Sequence, residues 1–187
     1  MGIKFILLIL VVLLMRRVDG GLMRGEGGLI RGSDGGVMRG ADGNLMRAGD
    51  EDFIKRASEA NMAEIEASQL ATEKGASAEL KAFADSMVIG HGVAQKELLQ
   101  IAKKEGVSLS RSPDTEHGKM IEHLSRLSGR DFDGTYLHMQ LLDHQVAVQL
   151  FQQEATTGKD PVARAYAGKY LSKLRHHLMM AQGIRLR

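Results

Sequence analysis

The chain has no cysteine and no tryptophan, only two prolines, and aromatic residues at just 4% of its 187 positions. The missing cysteine excludes disulfides, thiolate metal ligands and a thiol nucleophile, and leaves the redox compartment open. A transition-metal site here has to use imidazole and carboxylate, and seven histidines are present to supply it. Excess charge of one sign is also absent. The formal net charge is +2, and no basic stripe is interleaved with aromatics, which argues against nucleic acid as a partner. No serine sits in a strained strand-to-helix elbow, so nucleophilic hydrolysis has no support. With so few prolines and β-branched runs, the chain beyond residue 50 reads as helix.

The length suffices for one domain with a sizeable core, with some residues left over at the start. Residues 3–15, IKFILLILVVLLM, form an apolar run behind Lys4. It is short of the ~20 residues that span a bilayer and has the length of a secretory h-region. Arg16 and Arg17 follow it, and no small-x-small cleavage site appears near residues 18–21. Residues 1–18 are therefore expected to be a signal peptide or a membrane anchor. The rest of the protein then lies in the periplasm or cell envelope, exported or membrane-anchored. Residues 19–49 repeat a unit of one acid, two turn residues, two apolar residues and an arginine: DGGLMRG, EGGLIRGS, DGGVMRGA, DGNLMRAG. Asp-Gly favours turns, and so few residues between turns make no useful strand. The segment reads as a flexible linker grown by duplication. The alternative is a self-associating segment that assembles a homo-oligomer.

At Asp50 the composition changes, and residues 50–187 read as one helical domain. Asp50 is the expected N-cap of a first helix with seam Phe53, Ala57, Ala60, Glu64, Ala67 and Ala71, ended by Gly75. Ser77 caps a second, with seam Leu80, Ala84, Met87, His91, Ala94, Leu98 and Ile101, ended by Gly106. Ser112 and Pro113 open a short connecting helix on which His117 and His123 are expected to be solvated. Asp131 or Asp133 opens a third long helix, ended by Gly158, with seam Leu137, Leu141, His144, Val148, Phe151 and Ala155. Asp160 and Pro161 open the fourth, whose seam is Ala163, Ala167, Tyr170, Leu174, His177, Ala181 and Ile184. The expected architecture is all-α: a four-helix bundle with one short connecting helix, preceded by the glycine-rich repeat.

Each long helix thus carries one ionisable residue on its apolar seam: Glu64, His91, His144 and His177. At 1.5 Å per residue from the connecting turns, all four fall near mid-height, within roughly two turns of one another. Three imidazoles and a carboxylate converging there make a candidate site for one zinc, iron or copper ion. Asp143 and Tyr136 are the expected partners behind the ligands, and His176 is expected to point away. Met87, one turn from His91, is more simply core filler than a copper ligand. The competing reading is a metal-free polar cluster that fixes helix register in a structural envelope protein.

Four segments, MAEIEASQLA (residues 62–71), AFADSMVIGH (82–91), FDGTYLHMQLLDH (132–144) and LSKLRHHL (171–178), resemble one exported bacterial family of unknown function. Its members are often labelled outer-membrane proteins, and the resemblance covers residues 52–182. It implies a ferritin-like four-helix bundle with Glu64, His91, Tyr136, Asp143, His144 and His177 at the family's polar positions. Two departures stand out: Gly90 where the family usually has an acid, and Ser172 where it usually has proline. The Glu-x-x-His pairs of di-iron ferritins are absent, since Val88 and Leu174 stand three residues before His91 and His177.

Overall fold

The computed structural model describes residues 38–39, 45–46 and 48–186, all within one compact unit of residues 34–187. The expected signal or anchor of residues 1–18 and most of the 19–49 repeat lie outside the described residues. Inside the repeat, β1 (Met38–Arg39) and β2 (Leu45–Met46) pair antiparallel, Met38 opposite Met46 and Arg39 opposite Leu45. Two residues per strand is a minimal ladder, formed where the repeat was expected to make no useful strand.

Five α-helices follow among the described residues: α1 (Ala48–Lys74), α2 (Ala78–Glu105), α3 (Thr115–Ser125), α4 (Gly129–Thr157) and α5 (Pro161–Gly183). Several ends follow from local chemistry. Ser77 Oγ accepts from the Leu80 amide at 3.0 Å, and Gly106 closes α2 at φ 71°, a left-handed conformation that favours glycine. Asp160 Oδ1 accepts from the Val162 and Ala163 amides at 2.9 and 2.8 Å, with Pro161 opening α5.

Three expected caps are corrected. α1 starts at Ala48, so Asp50 lies inside its first turn, and its Oδ1 accepts from the Lys159 amide at 2.7 Å. It ties the start of α1 to the α4–α5 turn. Asp114, not Ser112, caps α3, accepting from the Glu116 and His117 amides. α4 starts at Gly129, ahead of Asp131 and Asp133. The buried Asp133 carboxylate instead accepts from the Ala76 amide at 3.0 and 3.3 Å, bracing the α1–α2 turn from another helix.

The apolar side chains gather into two clusters. One contains Phe53, Ile54, Leu98, Phe151, Tyr166 and Leu174; the other contains Leu80, Met87, Leu124, Phe132, Tyr136 and Ile184. Reading each helix between them gives its direction. α1 and α5 run from the first cluster to the second, whereas α2 and α4 run from the second to the first. α1 packs along α2 and α4 along α5. The chain leaves α2 through Val107 and Leu109 at the first cluster and returns to the second through α3, which packs on α1 and α4. Glu64, His91, His144 and His177 all lie in sequence where their helix passes from one cluster to the other. The polar seam positions form one layer at mid-height.

Candidate metal centre

His91 on α2 and His144 on α4 are buried, and His177 on α5 is half-buried. Their ring centroids form a near-equilateral triangle of 5.4 to 5.5 Å. One ring nitrogen from each lies within 4.8 Å of the others, and His144 Nε2 stands 3.4 Å from His177 Nδ1. An ion held at ~2.1 Å by tetrahedral imidazoles needs nitrogens about 3.4 Å apart. One pair already has that spacing, so closing the third onto an ion is a side-chain adjustment.

The ring orientations are decided by what stands behind them. His144 Nδ1 lies 2.9 Å from the Gln140 carbonyl oxygen. A carbonyl only accepts, so Nδ1 carries the proton and Nε2 presents a lone pair to the triangle. His91 Nδ1 lies 3.0 Å from Asn61 Oδ1, with the same consequence. The Asn61 amide is itself oriented: its Nδ2 donates to Gln95 Oε1 and to the Tyr166 hydroxyl, each at 3.3 Å. Gln95 Nε2 donates in turn to Ser58 Oγ at 2.8 Å, and Tyr166 donates to the Ala94 carbonyl. His91 Nε2 is buried with no hydrogen-bond partner. An unpaired buried acceptor is costly, and a metal ion is one natural partner for it.

Glu64 stands elsewhere than a ligand would. Its Oε1 is 3.4 Å from His144 Nδ1, the nitrogen on the far side of the ring, and its Oε2 accepts from Gln140 Nε2 at 2.5 Å. The converging group is the three histidines, with Glu64 behind one of them. Burial first, and then the Asp143 charge, raise its carboxyl to about 8 against the pull of Gln140 and His117. Burial likewise lowers all three imidazoles, His177 to about 4. Without a metal the layer is neutral near pH 7.

The other expected partners are placed differently. Asp143 Oδ1 lies 3.8 Å from His117 Nε2 on α3, and His117 Nδ1 donates to Asp114 at 2.5 Å. Held between two carboxylates, the half-buried His117 is raised to about 10 despite desolvation. The expectation that it is solvated is therefore corrected, while His123 is exposed as expected. Tyr136 is buried with its hydroxyl 2.9 Å from Ser68 Oγ, one turn beyond Glu64. Met87 is core. At Gly90, a Cβ would come 3.0 Å from His177 Cε1 and 3.3 Å from its Nε2. Glycine there makes room for the third imidazole.

Sequence reasoning missed Ser58, Asn61, Gln95 and Gln140. A signal existed: Ser58, Asn61, Ile65 and Ser68 follow a three-four-three spacing, and three of these four positions are polar and buried.

The solved structure described as "Crystal structure of DUF305 fragment from Deinococcus radiodurans" superposes with a TM-score of 0.65 at 13% identity. The match covers 74% of this chain and 95% of that one, a likeness of fold alone. No curated protein matches the chain. A family model does match, over residues 37–184, which takes in all five helices and every residue of the histidine triangle. The chain belongs to the family described as Domain of unknown function (DUF4142).

Proposed function

We propose that this protein binds one divalent transition-metal ion through His91, His144 and His177, in a helical domain of the ferritin-like kind. The observation that carries the reading is the shared ring orientation. Two imidazoles on different helices each donate Nδ1–H to a fixed acceptor behind them and so leave Nε2 bare; that of His144 stands 3.4 Å from His177 Nδ1, and that of His91 is buried and unpartnered. Partners of this sort behind histidine ligands are characteristic of metal sites. Three neutral nitrogen donors without a carboxylate or thiolate suit zinc or copper(II) better than magnesium, calcium or a di-iron pair. Such an ion supplies Lewis acidity at any position the protein leaves open. The helix directions, with α3 as a single long crossover, support the ferritin-like assignment.

Export to the periplasm or cell envelope is proposed on residues 1–18 alone, and homo-oligomerisation on the repeat alone. No described helix is long and apolar enough to cross a membrane.

The test is a competition titration of tag-free, chelator-stripped protein with zinc and with copper(II), followed by thermal melting. One ion per chain and a raised melting temperature are expected, both lost in His144→Leu. If neither ion binds, and His144→Leu melts no lower than the wild type, the cluster is a register device in a structural protein.

A further inference from the structure

His177 belongs to two environments. Its Nδ1 faces His144, while its Cε1–Nε2 edge faces Gly90 and an open cleft of about 460 Å³ between α2 and α5. That size is at the low end for small-molecule sites. Lys173 and His176 line the cleft together with Ser86, Ser172, Gly90 and His177, and no carboxylate contributes to its lining among the described residues. The serine hydroxyls donate to their own helix, Ser86 to the Phe83 carbonyl and Ser172 to that of Lys169. The cleft's other polar groups are Lys173, whose charge is also felt by the Glu97 carboxylate, His176 and the Nε2 edge of His177. The Lys173 ammonium stands 5.2 Å over the Tyr170 ring, and its charge reaches His177.

Charge balance decides what such a cleft admits. Three neutral imidazoles leave the full charge of a divalent ion uncompensated in a layer walled by two apolar clusters. Glu64, behind His144, offsets it only from outside the ligand set. The geometry points to a second, exogenous ligand: a small monoanion, such as a short carboxylate, that enters by this cleft and takes an open position on the ion beside His177, with Lys173 as its counter-charge. Gly90 contributes by omission, because a Cβ there would stand 3.0 Å from His177 Cε1 and crowd the edge of the ring that faces the cleft. This inference rests on the metal reading and goes beyond it by naming the class of ligand.

The experiment uses the full chain loaded with one equivalent of cobalt(II), titrated with azide and followed by visible absorption. Saturable spectral change is expected, and Lys173→Met weakens azide binding by about threefold to tenfold at low salt. Cobalt affinity is not lowered in that variant, because the charge removed is one that repels the cation, and Lys119→Met on α3 behaves like the wild type. A protein that binds one cobalt but whose spectrum ignores azide overturns this inference and leaves the metal reading standing. Equal azide affinity in Lys173→Met overturns the role of the cleft. Failure to bind cobalt at all defeats the metal reading, and this inference with it.

Discussion

Asn61 touches no other proposed ligand, yet it decides which nitrogen of His91 faces the triangle. Replacing it by alanine leaves His91 Nδ1–H without its acceptor and frees the ring to turn. Metal affinity is expected to fall by about 10- to 100-fold, with one ion still bound, in a competition titration. Gly90→Ala separates site from scaffold. A helix-interior Gly→Ala change is worth up to about 1 kcal/mol of stability. The added Cβ, however, pushes on the half-buried His177 ring. The metal-free variant should melt at or above the wild-type temperature while binding metal more weakly; a matching fall in both would mean that the helix itself had been disturbed. The seam histidines were legible in the sequence because each breaks a regular apolar spacing. The position of Glu64 was not, since the spacing places a residue on a face without saying which nitrogen of a facing ring it meets.

At the scale of elements, the helix ends that local chemistry decides were readable: Ser77, Gly106, and Asp160 with Pro161. Those that a distant partner decides were not. Asp133 looks like a cap in the sequence, but the amide it serves belongs to Ala76, 57 positions away. Asp50 serves Lys159 across 109 positions. A carboxylate before a helical run reads the same whether it bonds its own helix or another. Asp133→Ala should therefore loosen the α1–α2 turn and destabilise the protein by about 1–3 kcal/mol, because a part-buried amide loses its acceptor. Urea unfolding checks this, with a lowered midpoint at unchanged slope. A shift no larger than that of the exposed Asp131→Ala would show that the brace contributes nothing.

The whole molecule combines opposing titrations. Burial holds His91, His144 and His177 below the 6.5 of a free imidazole, His177 at about 4. As the pH drops from 6.5 towards 4, the unfolded chain takes up protons that these native rings refuse, and stability is lost. Glu64 and Glu154 act in the other sense. Desolvation chiefly raises them to about 8 and about 7, so they keep protons that an unfolded carboxyl releases near 4.5. Their contribution is complete below 4.5 and lost as the pH rises through 7 and 8; that of His117 is complete below 6.5 and lost towards 10. The metal-free protein should be most stable near pH ~6.5, with urea midpoints falling on both sides. A midpoint that climbs steadily to pH 9 would contradict this. Among the described residues the core clusters draw on positions 53–184, so a chain begun at Ala48 should melt within about 2 °C of the full length.

The central claim is that two imidazoles are set in advance, with Nδ1 protonated and Nε2 bare, to receive one ion. Long-range proton–nitrogen correlation spectra of the imidazole rings read this directly. In the metal-free protein at pH 7, His91 and His144 should appear as neutral Nδ1–H tautomers. One equivalent of zinc should shift their Nε2 resonances, and one ring nitrogen of His177, while Nδ1–H of the first two stays in place. Nε2–H tautomers at His91 and His144, or ring nitrogens indifferent to zinc, would contradict the account.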